Sequence, residues 1–144
     1  MLRTMTTASR TFDPSTGLAL PGLSTLTGPV ARGLLAAPFL VFGLMHFPGA
    51  SQMAAAVPSW LPGGVAWVYI TGIALVAGGI GLFMRRWVVP AALSLAALMG
   101  VFVLTVHLPA LFDEATRQMG MMGALKDLGL AGGLLVLAAA ARRG

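Results

Sequence analysis

Five side chains of this sequence stand out as able to do chemistry inside an otherwise apolar chain. Lys126 and Asp127 are adjacent within the stretch Met119–Ala141, MGMMGALKDLGLAGGLLVLAAAA. His46 and His107 lie towards the ends of two other apolar stretches, and Tyr69, the one tyrosine, stands near the start of a further one. A carboxylate and an imidazole brought together can share a proton with each other and with a ligand. A phenol and an ammonium supply hydrogen-bond donors to a carbonyl or hydroxyl. There is no cysteine, which excludes disulfides, thiolate metal sites, CxxC redox chemistry and S-acylation. Any electron transfer would therefore need a bound cofactor or a partner.

The surroundings of these residues set the cost of placing them. The chain is 58% hydrophobic and 9% charged over 144 residues, with mean hydropathy +0.90. A soluble domain carries about 25% charged residues, so the composition is that of a membrane protein. Apolar windows of about 20 residues suffice to cross the bilayer core, and four can be drawn at about 30–47, 65–84, 87–108 and 119–141. The fold class expected is all-α, a transmembrane four-helix bundle over 30–143 with a flexible N-terminal tail over 1–29, rich in Ser, Thr, Gly and Pro. Leu18–Leu26 reads as a brief interfacial segment within that tail. An alternative is a secretory signal with Gly33–Phe47 as its apolar core and Ala54–Ala56 as a small-residue cleavage site, although the preceding region is long for one. Pro38 should kink the first span. Gly72, Gly78, Gly79 and Gly81 should let the second approach a neighbour closely, and Gly129 with Gly133 forms a GxxxG pair expected to pack within the bundle.

The basic residues argue for a side rather than for nucleic acid. The formal net charge is +5, but the arginines are short flanks to apolar runs, with no basic stripe interleaved with aromatics. With four spans, Arg3, Arg10, Arg32, Arg85, Arg86, Arg142 and Arg143 share one side, while Arg117, Lys126, Asp113, Glu114 and Asp127 fall towards the other. The positive-inside rule then places both termini in the cytoplasm.

Those arginines also serve as a ruler. At 1.5 Å per residue, His46 stands roughly 21 Å above Arg32, Tyr69 roughly 24 Å above Arg85, and Asp127 and Lys126 roughly 22–24 Å above Arg142 along the fourth span. Thr71 falls in the same layer, and Thr105 and His107 come higher, at roughly 28–31 Å above Arg86. The polar groups of separate spans thus converge near the outer surface and leave the inner half apolar. Neighbours on a helix point about 100° apart, so Lys126 and Asp127 are not expected to pair with each other. The arrangement expected turns Asp127 inward towards His46 or Tyr69, lets Lys126 snorkel outward, and sets His107 at the mouth. Such a ligand-binding wall of His46, Tyr69, His107, Lys126 and Asp127 could hydrogen-bond a quinone head group, with the apolar half holding its tail. A haem on His46 and His107 fits poorly, because their depths differ by roughly 7–10 Å, and no metal site is expected.

Plainer readings stand beside this one. Asp127 could cap a fourth helix that starts late, near Lys126. Lys126 could be an ordinary snorkelling residue, His46 and His107 could end helices at the headgroup level, and Tyr69 could belong to an aromatic belt.

The stretches GLMHFPGA, VPSWLPGGVAWVYITGIALVAGGIGLFMRRW and MGALKDLGLAGGLLVLA resemble the DoxX family of small four-helix bacterial membrane proteins, over about Arg32–Ala141. KDLGLAGGLL and VPSWLP are the most distinctive parts. The resemblance implies a bacterial inner-membrane bundle, and some relatives are associated with quinone-linked oxidation of sulfur compounds or with membrane complexes that handle oxidative stress. The expectation is therefore a membrane subunit of such a redox system, with protein partners or a homo-oligomer, a lipid bilayer around it and no nucleic acid. The rival is a non-catalytic anchor or assembly subunit. A small-solute carrier fits less well, because the spans lack paired charges at the midplane.

Overall fold

The computed structural model describes residues 26–143; the expected tail through residue 25, and most of the segment Leu18–Leu26, lie outside the described residues. Four long helices account for most of the chain: α1 (Ala31–Met45), α2 (Gly64–Gly81), α3 (Val88–Ala110) and α4 (Arg117–Arg143). A short segment, Leu26–Val30, kinked at Gly28 where the backbone is not helical, leads into α1. Each helix, α1 taken together with the residues from Gly28, is long and apolar enough to cross a membrane, and no strand occurs among the described residues. The chain is an all-α, four-span membrane bundle.

Lipid tails are as apolar as leucine, so helices in a bilayer are held by close packing and not by the hydrophobic effect. Glycines provide that packing here. A Cβ on Gly43 would lie 2.8 Å from Val76 and 3.0 Å from the carbonyl of Gly72, and one on Gly79 would lie 2.8 Å from Leu40. These contacts join α1 and α2 as antiparallel neighbours. Gly78 receives the Leu95 side chain, and a Cβ on Gly81 would lie 2.8 Å from Ala91, which brings α3 against α2. The expectation for Gly72, Gly78, Gly79 and Gly81 holds. For the GxxxG pair it does not: Gly129 meets nothing within 4 Å, and Gly133 only the tip of Leu35. The glycines that pack α4 lie earlier, at Gly120 and Gly123, where a Cβ would collide with Ala110 and with the His107 ring. Of the later pair, Gly129 is exposed and Gly133 is half-buried against Leu35 of α1.

The bundle is two hairpins, α1–α2 and α3–α4, joined through α2 and α3; α1 and α4 meet only sparsely. At the end near Arg32, Arg85 and Arg142 the interior is dry and filled by Phe39, Leu75, Leu82, Leu95, Leu134 and Ala138, all at most 3% exposed. α1 runs unbroken through Pro38. At the opposite end the α1–α2 connection folds back as a one-turn helix, Ala50–Met53, and a 3₁₀ turn, Ala54–Ala56. It re-enters α2 at Gly63, whose φ of +83° is a left-handed conformation that only glycine adopts without strain. α3 changes to a π-helical turn over Val103–His107 before its last turn, Leu108–Ala110. A π-turn admits one extra residue and re-aims the side chains beyond it.

Candidate functional site

Asp127 lies ten residues inside α4, which begins at Arg117, and is 1% exposed. It is therefore no helix cap; capping side chains act on the first turn alone. Its partner comes from α3. The imidazole of His107 donates Nε2–H to Asp127 Oδ2 at 3.0 Å. An ionised carboxylate only accepts, so Nε2 carries a proton in this bond. The ring can reach Asp127 because Gly123, one turn earlier on α4, has no side chain; a Cβ there would overlap the imidazole. Gly120, a further turn back, seats the His107 carbonyl.

This pairing corrects two expectations. Asp127 does turn inward, but towards His107 and not towards His46 or Tyr69. The uniform rise of the ruler set His107 too high, and the π-turn that carries it is where that uniformity fails. Lys126 and Asp127 also pair, against the 100° argument: Lys126 Nζ stands 3.0 Å from Asp127 Oδ1. Four methylenes let the ammonium swing around the helix. Its position 4.5 Å from the centroid of the Phe42 ring on α1 draws it across the bundle instead of outward. The approach to Oδ1 is not aligned as a hydrogen bond, so this buried oxygen is held by charge alone. Breaking a buried ion pair from one side typically costs about 3–5 kcal/mol, so the three residues hold one another.

Above the pair lies a cavity of about 350 Å³ with wall residues from all four helices. Asp127, Lys126 and His107 form its polar side, His46, Thr71 and Thr105 add polar atoms, and Phe39, Phe42, Trp67 and Phe102 line it with rings. Met53, Val57, Pro58 and Leu61 of the α1–α2 connection cover it. That cover is fastened to α2 where Trp67 donates Nε1–H to the Pro62 carbonyl at 2.9 Å. The cavity lies between the two hairpins, where Lys126 on the Phe42 ring links α4 to α1.

The five expected site residues divide four to one. His46, His107, Lys126 and Asp127 line a single cavity. Tyr69 stands apart, 41% exposed on α2, its ring 6.0 Å from that of Phe47 at a tilt of 38°. The helical phase of α2 explains this: Val68 and Thr71 face the cavity, and Tyr69 lies one residue, about 100°, round from Val68 and two residues from Thr71. His46 points its Nδ1–H at its own helix, donating to the Phe42 carbonyl at 2.7 Å. The rings of Phe42, Trp67 and Phe102 belong to the site without having been singled out from sequence. Bulky aromatics in apolar spans carry no signal that separates a cavity wall from a lipid-facing surface.

A family model described as a domain of unknown function, DUF8561, matches residues 35–142. No curated protein and no solved structure matches the chain. The matched stretch runs from the second turn of α1 almost to the end of α4, and it contains His46, His107, Lys126, Asp127 and the whole cavity wall. The chain belongs to the DUF8561 family.

Proposed function

We propose that this chain is a DoxX-like subunit of the bacterial inner membrane that binds a quinone head group in the cavity and serves a quinone-linked redox or oxidative-stress system. The observation that carries this reading is Asp127: an ionisable side chain 1% exposed inside a membrane helix, fixed by His107 and Lys126 at the wall of a cavity. Ionisable groups within spans are expensive and mark functional sites by default. A cavity with aromatic walls and a few convergent polar groups is the usual form of a small-molecule site, and 350 Å³ lies at the small end of the range of about 300–1,000 Å³. It suits a ring, with a prenyl tail leaving where α1 and α4 part. Arg32, Arg85, Arg86 and Arg142 at the far end support cytoplasmic termini and an outward-facing cavity.

A second reading has its own support. Gly129 and Gly132 of α4 meet nothing within 4 Å, which leaves room for a helix of a partner or of a second copy, as an anchor or assembly subunit would need. Purification in mild detergent followed by extraction of bound lipids separates the two. Recovery of about one quinone per chain, lost in Asp127→Leu, supports the binding reading. Recovery of none, with an Asp127→Asn variant that still functions normally, sinks it and favours the anchor.

A further inference from the structure

A second hollow, of about 390 Å³, lies between α2 and α3 towards the turn that joins them, at the end of the bundle opposite the polar cavity. Gly78 and Gly81 bring the two helices so close that Leu95 and Ala91 form its floor. Ala77 on α2 and Ser94 on α3 are too small to fill the space above that floor, and both are exposed. The hollow is therefore a groove open to the surrounding lipid. From Trp87 to Leu98 it follows α3 for roughly 16 Å, about half of a 30 Å bilayer core. A volume of about 390 Å³ over that length gives a section of about 24 Å², enough for one methylene chain, whereas a helix about 10 Å across has a section of about 80 Å².

Charge marks one end of the groove. Arg85 and Arg86 form the turn, and the guanidinium of Arg86 stands 5.6 Å from the centroid of Trp87, the ring that lines the groove there. Among the described residues the carboxylates are Asp113, Glu114 and Asp127, all at the other end of the bundle, and neither arginine forms an ion pair with them. We propose that this groove holds one acyl chain of an anionic phospholipid from the leaflet at this end, with the lipid's phosphodiester on Arg85 and Arg86. Length, section and charge agree on that occupant. The groove is as deep as one leaflet, as narrow as one chain, and carries uncompensated cations where the headgroup of such a lipid lies. Trp87 stands at that level, as amphipathic rings do, and its face holds the Arg86 guanidinium at the mouth. A zwitterionic headgroup fits less well, because its own ammonium would meet two guanidinium groups with no acid between them. The site shares no residue with the polar cavity and does not depend on what that cavity binds.

The test equilibrates the full chain in mild detergent with equal amounts of phosphatidylglycerol and phosphatidylethanolamine of the same acyl composition, and counts the retained lipids by native mass spectrometry. One phosphatidylglycerol per chain should be held, at a preference of roughly 25-fold. This is about fivefold for each arginine, the conversion of about 1 kcal/mol per basic residue at an anionic surface. Arg85→Gln/Arg86→Gln should lose the preference. Ala77→Phe and Ser94→Phe fill the groove from its open rim, one from each helix, and leave the arginines in place. Each should lose the bound lipid, with circular dichroism showing that the helices persist. Equal retention of the two lipids overturns the proposal. So does a preference that survives both groove-filling variants, which would belong to the arginines alone. Displacement by inorganic phosphate would show a bound headgroup without a seated chain, and a dimer that forms on removal of lipid and is lost in Ala77→Phe would give the groove to a second copy; either result overturns it too.

Discussion

His107 and Asp127 come from facing helices, yet the 3.0 Å bond between them depends on what is missing between them, a side chain at position 123. The imidazole lies against α4 at Gly123, one turn before the carboxylate it holds. A π-turn in α3 aims the ring, a glycine in α4 admits it, and an ammonium from the next position along balances the charge. Removing any one of these exposes a different weakness, and each can be tested separately.

Gly123→Ala should unseat His107, because the added Cβ would occupy the space of the ring and the backbone of α4 cannot yield. Overpacking of this kind costs about 1–3 kcal/mol. The loss of stability should come with loss of the His107–Asp127 bond, visible in the ¹⁵N shifts of the imidazole. Gly129→Ala serves as the comparison, since it meets open space. Ala exceeds Gly in helix preference by about 1 kcal/mol, so that variant should be neutral or slightly more stable. Equal effects of the two substitutions on thermal unfolding in detergent would refute the account of Gly123.

Lys126→Met should destabilise more than the double variant Lys126→Met/Asp127→Leu. The single change leaves a carboxylate at 1% exposure with no cation beside it, whereas the double change removes both charges and fills the space with apolar atoms. Fully buried pairs lose about 3–5 kcal/mol when broken from one side. Lys126 is 45% exposed, so about 1–3 kcal/mol is expected for the single change after solvent screening. Unfolding of the four chains of a double-mutant cycle measures the coupling, and additivity within about 0.5 kcal/mol would show that the pair carries none.

The sequence was most readable where one physical rule dominated. Span number and glycine packing of α2 follow from hydropathy and from the closeness that Gly72, Gly78 and Gly79 permit. The shared layer of His46, Lys126 and Asp127 follows from helical rise alone. Depth, however, fixes height and not direction, and for that reason Tyr69 shares the layer of the cavity while facing away from it. Nor does a ruler of constant rise anticipate the π-turn at Val103–His107, which has no sequence signature of the strength of a proline or a cap. The 100° rule failed for Lys126 because it describes Cβ directions, and a four-carbon side chain can turn back over its neighbour. GxxxG misled for a related reason: a motif marks a surface that could pack closely, and the surface in use, at Gly120 and Gly123, is spaced by three.

Single cysteines can map the sidedness of the bundle cleanly, because the chain contains none of its own. Ser59→Cys in the α1–α2 connection and Glu114→Cys before α4 lie at the cavity end, and both positions are exposed. In intact cells each should react with a membrane-impermeant maleimide. Arg86→Cys, at the opposite end, should react only after the membrane is permeabilised. The reverse pattern would turn the cavity towards the cytoplasm and overturn the outward orientation proposed from the arginines.

The cover over the cavity should control how fast a ligand exchanges. Met53, Val57, Pro58 and Leu61 close one side, and the connection that carries them is fixed at its α2 end by the Trp67–Pro62 bond and by the left-handed turn at Gly63. Trp67→Phe keeps an aromatic wall but removes the N–H, a loss of about 0.5–1.5 kcal/mol for a hydrogen bond of this type. Gly63→Ala instead forces a Cβ into the left-handed conformation, at about 1–2 kcal/mol. Both act on the closed form of the cover and neither touches His46, His107 or Asp127. Dissociation of a bound quinone should therefore quicken by about 2–12-fold in Trp67→Phe and by about 5–27-fold in Gly63→Ala, by conversion of these energies at 1.4 kcal/mol per tenfold. Association should change less, because entry already requires the cover to open. Stopped-flow displacement by excess unlabelled probe measures both rates, and unchanged dissociation in both variants would show that the ligand leaves by another path, between α1 and α4.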